Sequence, residues 1–223
     1  MPVPAEPAPD PDLWYAMTAL AGDKVRLRPL RDEDAAAYLD ALHVDGGADE
    51  VFRFLGKGGP PATIEAARHE VRAALAARAR GERLAYAQLD AVTGEFIGTT
   101  SFYEVNPSAR TLAIGHTWLG RRWWRTGHNT ESKLLLLGHA FDTLQAARVV
   151  WHTDIRNERS QAAIQRLGAR HEGLLRNHRI RADGTWRDTM QYAMTDTDWP
   201  GSRARLQAAL TAGHAPGKPG RPS

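Results

Sequence analysis

The chain has 223 residues, 42% of them hydrophobic, and a formal net charge of +3 at pH 7. A chain of this length buries one full core and is too short for two large domains. It contains no cysteine, which excludes disulfides, thiolate catalysis and cysteine-ligated zinc. Because 29 lysines and arginines are interspersed with 26 acidic residues, the charge pattern predicts no nucleic-acid partner.

Proline is concentrated at the two ends of the chain, in residues 1–11 and 216–222. We therefore expect flexible tails over residues 1–12 and 213–223, and a single domain over residues 13–212. No run approaches the roughly 18 apolar residues of a membrane-spanning helix, and the N-terminus lacks the pattern of a signal peptide. The sequence therefore predicts a cytoplasmic protein without a membrane partner. The histidines are scattered without ligand spacing, so we expect no metal.

Short runs rich in branched and aromatic residues predict six strands, at residues 24–30, 84–90, 96–104, 112–119, 149–153 and 186–195. The second, third and fourth of these form an antiparallel meander with a hairpin turn at Thr93-Gly94. Helical spacing of apolar residues predicts a helix at 31–42, with Asp32 as its N-cap, and another at 63–79, capped by Thr63.

The turn at Gly127 joins the strand at 112–119 to an amphipathic helix, for which Asn129 or Thr130 can act as N-cap. The start of a helix leaves N–H groups without partners and carries positive partial charge. Residues 125–130 should therefore present their amides to a phosphate or pyrophosphate. The turn has neither the Lys-Ser/Thr ending of a P-loop nor the glycine triplet of a dinucleotide fold. Taken alone, it is also consistent with an ordinary turn before a core helix.

A second strand-and-helix unit lies further along the chain. The strand at 149–153 leads through Asn157 to a helix that begins near Ser160 and ends at Gly168. Asn157 is either a ligand-binding side chain or a loop asparagine that favours a turn. Ser160 is either a functional hydroxyl or the N-cap of its helix. The residues alone leave both questions open.

In order and spacing, these patterns resemble the GCN5-related N-acetyltransferase (GNAT) superfamily, in its subgroup of ribosomal-protein-alanine N-acetyltransferases. The resemblance runs from about Val25 to about Trp199, and its segments are Val25–Asp34, Phe96–Ser101, Asn129–Leu137, Asn157–Ser160, Arg166–Ala169, Glu172-Gly173 and Arg187-Asp188. The superfamily's usual pyrophosphate signature begins with Gln or Arg and ends with Gly or Ala. Aligned on Gly127, those positions hold Trp124 and Asn129 in this chain.

The resemblance implies an α+β protein with a mixed, mostly antiparallel sheet, splayed at a central cofactor cleft and flanked by helices. It implies transfer of an acetyl group from acetyl-CoA to a primary amine, by direct attack in a ternary complex. The amine would belong to a protein N-terminus or a small molecule, and the protein would be a monomer or a homodimer. The implied cofactor-binding residues are Thr117, Trp118, Leu119, Arg125, Thr126, Gly127, His128, Asn129, Thr130 and Asn157.

Three side chains are candidates for the chemistry. The resemblance places Ser160 where its hydroxyl would protonate the departing thiolate. Glu104, at the end of a predicted strand, and His116, in the middle of another, are candidate general bases. Asp154 and His178 are further titratable groups near the predicted centre, and a water chain could replace a single base altogether. Backbone N–H groups near residues 118–119 are expected to polarise the acetyl carbonyl.

Two other functions fit the same patterns. The first is a transferase for a larger acyl group such as succinyl, whose carboxylate could be accepted by arginines near the acyl tip. The second is a non-catalytic acyl-CoA-binding or sensing module. A nucleotide enzyme is disfavoured because the turn at Gly127 contains no lysine.

Overall fold

The computed structural model describes residues 10–55, 58–181 and 183–212. Its strands are β1 (Leu20–Ala21), β2 (Val25–Pro29), β3 (Arg83–Asp90), β4 (Phe96–Asn106), β5 (Thr111–Leu119), β6 (Arg148–Asp154), β7 (Arg170–Ile180) and β8 (Trp186–Thr195). They form one sheet in the order β1-β2-β3-β4-β5-β6-β8-β7. Neighbouring strands are antiparallel except for β5 and β6, which run parallel.

In the described part of the chain, seven α-helices connect or flank these strands. They are α1 (Pro11–Tyr15), α2 (Ala35–His43), α3 (Ala48–Phe52), α4 (Ile64–Ala79), α5 (His128–Gly138), α6 (Glu158–Leu167) and α7 (Trp199–Ala212). A π-helical segment, His139–Thr143, continues α5. Among the described residues, no helix combines the length and apolar character needed to cross a bilayer.

Both faces of the sheet are covered, as the alternation along β3 demonstrates. Leu84 and Tyr86 pack into a core shared with α5 and α7, whereas Ala85 and Ala87 pack into a core shared with α2 and α4. Successive side chains of a strand point to opposite faces, so the two cores lie on opposite sides of the sheet.

A buried carboxylate fixes α5 to the first strands of the sheet. Glu131, on the first turn of α5, accepts hydrogen bonds from the backbone N–H groups of Asp23, Lys24 and Val25, at 3.1, 2.7 and 2.7 Å. Its side chain fills the space beside Gly22, where a Cβ would lie 2.5 Å from the carboxylate. This contact sets where the N-terminus of α5 lies relative to the sheet.

The structure corrects several predicted boundaries. Asp32 does not cap a helix at 31–42, because its carboxylate binds Arg72 and residues 32–34 form a separate 3-10 turn before α2. Helix α1, with Asp10 as its N-cap, begins at Pro11, within the tail predicted over residues 1–12. Residues 1–9 of that tail, and the whole tail predicted over 213–223, lie outside the described residues. The cap at Thr63 is confirmed, with its side chain accepting from the N–H of Ala66.

Two long elements are missing from the sequence prediction. The helix α7 was not expected. Nor was the strand β7, nine of whose eleven residues are exposed. A strand without a buried face lacks the alternation of apolar and polar residues from which strands are predicted. It forms because β8 offers a neighbouring row of backbone hydrogen-bonding groups.

Candidate active site

The site begins where β5 and β6 separate. These parallel strands are paired only at Thr111–Ala113 and Arg148–Val150, so residues 114–119 and 151–154 diverge. A β-bulge in β5 accounts for the divergence, because three residues of β5 cover the distance that two cover on β4. His116 lies on the bulge with a positive φ of 49°. A cavity of about 1480 Å³ opens in the gap.

The turn before α5 forms one wall of this cavity. Gly127 adopts a left-handed conformation, with φ of 92°, and is itself the N-cap. Asn129 and Thr130, the N-cap candidates, instead lie in the first turn of α5 and line the cavity together with Arg125. The first N–H groups of the helix therefore lack helical partners and have the positive end of the helix dipole behind them.

Two of the expected cofactor-binding side chains make internal contacts instead. His128 is buried, with Nε2 3.0 Å from Asp90 Oδ2 and Nδ1 2.7 Å from Thr126 Oγ1. The Thr126 hydroxyl also donates to the carbonyl of Trp123. Burial alone would raise the pKa of Asp90, but hydrogen bonds from His128 and Thr93 outweigh it and lower the pKa to about 2. These contacts stabilise the turn before α5.

The opposite wall is the loop between β6 and α6. Asn157 is the N-cap of α6, and its Oδ1 accepts from the N–H of Ser160 at 3.1 Å. The interpretation of Ser160 as the cap is therefore wrong. Asn157 and Ser160 both line the cavity. Asp154 hydrogen-bonds Arg181 Nε and Nη2 at 2.8 and 3.1 Å, which commits this carboxylate to an ion pair.

The strand β5 contributes residues of two different kinds. Trp118 packs on the α2–α4 side of the sheet, with its ring centroid 4.8 Å from that of Tyr38. Its carbonyl accepts a hydrogen bond from the buried Gln88 at 3.1 Å. Thr117 points to the α5 side, where its Oγ1 is 2.9 Å from Thr100 Oγ1. Thr117, Trp118 and Leu119 all line the cavity.

Sequence reasoning missed Lys133, which is buried beneath β5 and also lines the cavity. Its Nζ donates to Thr100 Oγ1 and Thr117 Oγ1, both at 2.8 Å. Burial lowers the pKa of this lysine to about 7. A signal was present in the sequence, because Lys133, Leu136, Leu137 and Ala140 follow the i, i+3, i+4, i+7 spacing of a buried helix face.

The candidate bases differ in position. Glu104 is exposed, with φ of 49°, and its carboxylate lies 3.9 Å from His152 Nδ1 and 3.7 Å from an Arg179 nitrogen. His116 is also exposed, and its ring meets the ring of Tyr103 edge-on at 5.3 Å. The pKa of His178 is lowered, by burial first and then by Arg179. Of Glu104, His116 and His178, it is His116 that lines the cavity.

A chain of hydrogen bonds runs from the cavity to the surface. Tyr103 Oη lies 3.1 Å from His152 Nδ1, His152 Nε2 lies 3.2 Å from Gln191 Oε1, and Gln191 Nε2 donates to Glu172. The pKa of Glu172 is lowered by its hydrogen bond from Arg148, so its carboxylate acts only as an acceptor.

The orientation of Gln191 fixes the tautomer of His152. Because the Gln191 amide nitrogen faces Glu172, its oxygen faces His152 and accepts from Nε2–H. In the neutral imidazole, Nδ1 is then the acceptor for the hydroxyl of Tyr103. Tyr103 and His152 both line the cavity, so this acceptor chain starts at its wall.

The chain is similar in sequence to proteins described as N-acetyltransferases. Residues 24–170 match the family described as Acetyltransferase (GNAT) domain. The uncharacterized N-acetyltransferase YoaA of Bacillus subtilis (strain 168) is 31% identical over 78% of this chain and 95% of its own length. The ribosomal protein uS5-alanine N-acetyltransferase of Escherichia coli (strain K12) is 26% identical over 56% of this chain and 63% of its own.

Solved structures have the same fold. A GCN5-related N-acetyltransferase from Brucella melitensis aligns with a TM-score of 0.82 and 28% identity, over 87% of this chain and 86% of that one. Mycobacterium smegmatis RimJ, solved in complex with CoA-disulfide, aligns with a TM-score of 0.72 and 25% identity, over 89% and 96%.

Fold, cleft and relatives together define an acyl-CoA-dependent N-acyltransferase. The chain belongs to the GNAT family, and its relatives include enzymes of the ribosomal-protein N-acetyltransferase subgroup. The family resemblance and the fold class predicted from the sequence are thereby confirmed.

Proposed function

We propose that this enzyme transfers an acetyl group from acetyl-CoA to a primary amine, by direct attack within a ternary complex. The observation that carries the proposal is one continuous cavity lined by the start of α5, by Asn157 and Ser160, and by Tyr103 and His152. A phosphate-binding helix start, a proton donor and a proton acceptor thus face the same space. Direct transfer needs these three parts together.

The turn at Gly127 would hold the pyrophosphate of acetyl-CoA. Three features support this position for the pyrophosphate. They are the left-handed conformation of Gly127, the N–H groups of residues 128–130, which have no helical partner among the described residues, and the Arg125 side chain at the cavity wall. The diverging edge of β5 at residues 117–119 would pair with the pantetheine as an added strand pairs. The Asn157 amide nitrogen would donate to the pantetheine from the opposite side, while Asn157 Oδ1 caps α6.

The transfer step needs one proton removed and one proton delivered. As the amine nitrogen attacks the thioester carbonyl, its proton passes to Tyr103 Oη while Tyr103 gives its own proton to His152 Nδ1. The Glu104 carboxylate, 3.9 Å from that nitrogen, stabilises the imidazolium that forms. When the C–S bond breaks, the Ser160 hydroxyl protonates the leaving thiolate and takes a proton back from solvent, while the His152 imidazolium releases its proton to solvent. Glu104 therefore supports the base in this scheme, and His116 flanks Tyr103 without taking the proton itself.

The name of one relative supports a choice of acceptor. The Escherichia coli relative is named for an alanine of ribosomal protein uS5. We therefore propose a protein N-terminus as the first acceptor to test, with small primary amines second. We propose acetyl as the first acyl group to test, because the relatives are named acetyltransferases.

Calorimetric titration with acetyl-CoA, followed by thiol release with N-terminal peptides and small amines, tests the proposal. Ser160→Ala should lower kcat about 100-fold with the acetyl-CoA affinity retained, because only proton delivery is lost. Ser108→Ala is the matched control, since Ser108 lies on the exposed β4–β5 turn and bonds only Asn106. Binding without release from any acceptor would indicate a sensing module, and absence of binding would refute the cofactor site.

Tyr103 and His152 are tested as a pair. Tyr103→Phe and His152→Gln should each lower kcat at least tenfold, and the double variant should lose little more, because both interrupt one proton path. Multiplied losses in the double variant would show that the two side chains act separately. Full activity in both single variants would leave proton removal to water.

A further inference from the structure

The hairpin of β7 and β8 places two arginines directly opposite each other at the cavity. Arg179 and Arg187 are register partners on these antiparallel strands, and both line the cavity. Opposed residues of an antiparallel pair lie on the same face, where like charges destabilise the sheet. An anion bound between or beside the two guanidinium groups would offset this repulsion.

Arg187 is the less compensated of the two. Its side chain is 15% exposed, burial lowers its pKa, and its buried Nε has no hydrogen-bond partner among the described residues. The nearest carboxylate oxygen is Asp154 Oδ2, 4.0 Å away. That oxygen already accepts from Arg181 Nε, and the other oxygen of Asp154 accepts from Arg181 Nη2. A cation in this position costs free energy until a further acceptor reaches it.

The other charges around the pair do not supply that acceptor. Glu104 lies 3.7 Å from Arg179, but both side chains are about half exposed, which makes their attraction weak. Asp183 turns back onto Thr185, whose hydroxyl it binds at 2.6 Å. Arg156, 3.7 Å from Asp154, adds another positive charge to the same wall. This wall of the cavity therefore carries uncompensated positive charge.

The position of the pair connects it to the proposed chemistry. Burial is the largest effect on Tyr103 and raises its pKa. Arg179 and Arg187 are close enough to its phenol that their charges act to lower this pKa. In the mechanism proposed above, Tyr103 Oη receives the amine proton. A group bound by the two arginines would thus sit next to the reacting atoms rather than at the coenzyme end of the cleft.

We propose that Arg187 and Arg179 form a carboxylate-binding subsite in the transferase cleft, for a substrate that carries a carboxylate near its reacting group. Planar guanidinium groups present paired N–H donors that match the two oxygens of a carboxylate. The carboxylate belongs either to the acyl group, as in a dicarboxylic acyl-CoA, or to the amine acceptor, as in an amino acid. This inference rests on the proposed transferase function and specifies its substrate class.

Two arms of one experiment distinguish these sources. In the acyl arm, kcat/KM is compared for succinyl-CoA and butyryl-CoA, which have equal chain length but differ in the terminal carboxylate. In the acceptor arm, acetyl-CoA is used with an amino acid and with the corresponding amino-acid amide. In one arm, the carboxylate substrate should be preferred at least tenfold, as expected for a charge-assisted bidentate contact.

Variants assign any preference to the pair. Arg187→Gln and Arg179→Gln should each reduce the carboxylate preference about tenfold, and Arg187→Lys should keep part of it because charge remains while the fork is lost. Arg176→Gln, on the same strand but outside the cavity lining, is the matched control and should leave the preference unchanged. Thermal unfolding checks each variant, and Arg179→Gln decides the matter if Arg187→Gln does not fold.

The outcomes separate the two proposals. Acyl transfer with no carboxylate preference in either arm, or a preference that survives both glutamine variants, overturns the subsite and leaves the transferase function intact. Absence of acyl-CoA binding, or binding without transfer of any acyl group, overturns the transferase function and the subsite with it.

Discussion

The two halves of the sheet that meet at the β5–β6 gap are stabilised by different forces. In the half formed by β1 to β5, which we call the coenzyme side after the site proposed above, β3, β4 and the start of β5 are buried and covered by helices on both faces. In the half formed by β6, β8 and β7, which we call the acceptor side after the same proposal, the edge strand β7 is mostly exposed and is held by ion pairs such as Arg148–Glu172, Arg170–Asp198 and Arg181–Asp154. The buried half fixes backbone geometry, whereas the exposed half can exchange side chains at little cost to stability.

A matched pair of glycine substitutions should separate the halves most strongly. At Gly98 in β4, a Cβ would lie 2.1 Å from the backbone oxygen of Trp118, whereas at Gly173 in β7 no atom lies within 4 Å. Gly98→Ala should therefore lower the free energy of unfolding by about 4 kcal/mol, and Gly173→Ala by less than about 0.5 kcal/mol. Urea denaturation measures both. Equal effects would mean that the two halves do not differ in packing.

Lys133 provides a test of burial on the coenzyme side, with a pH signature. Burial lowers its pKa from 10.5 to about 7, so between these values the unfolded chain binds more protons and stability rises with pH. A pKa drop of this size corresponds to a cost of at most about 5 kcal/mol to the stability of the folded state. The loss of each hydrogen bond from Lys133 to a threonine would cancel about 1 kcal/mol of the stability gained by removing the buried charge.

We therefore expect Lys133→Met to raise the free energy of unfolding by about 2 kcal/mol at pH 7 and to flatten the rise in stability between pH 7 and 10. Denaturation curves across that range measure both effects. The acceptor-side control is Arg170→Met, which removes a cation that is 78% exposed and should change stability by less than about 0.5 kcal/mol. A stability loss in Lys133→Met would contradict the expected cost of burying this amine.

Asn157 stands at the gap between the halves, and two substitutions divide its roles. Asn157→Asp keeps an oxygen to cap α6 but loses the amide N–H donors, so stability should persist while acetyl-CoA affinity falls about tenfold. Asn157→Ala loses the cap as well and should cost about 1 kcal/mol of stability. Thermal unfolding and calorimetric titration distinguish these effects. Unchanged affinity in both variants would restrict Asn157 to capping.

Sequence reasoning succeeded where burial or a cap leaves a local pattern. The meander of β3, β4 and β5 and the helix capped by Thr63 were predicted and are present. Each is specified by periodicity within one short segment. The turn at Gly127 was found for the same reason, because a helix start carries its own signal.

Sequence reasoning failed where distant contacts decide the outcome. The environment of Lys133 on α5 is defined by hydrogen bonds to Thr100 and Thr117, which lie on two strands, β4 and β5. The hydrogen-bond chain Tyr103–His152–Gln191–Glu172 takes one residue from each of four strands, β4, β6, β8 and β7. No spacing of these residues in the sequence predicts it. The internal contacts of His128 and Asp154 were not predicted for a related reason, since their partners Asp90 and Arg181 lie far away in sequence.

The carboxylate of Glu131 has a consequence for how the protein is made. It bonds the N–H groups of residues 23–25 across sequence separations of 106 to 108 residues. At synthesis rates of about 5–20 residues per second, roughly 5–20 s pass between emergence of the β1–β2 turn and of its anchor. During that interval the turn relies on water for its hydrogen bonds. The first strands of the protein therefore reach their final form only after more than half of the chain has left the ribosome.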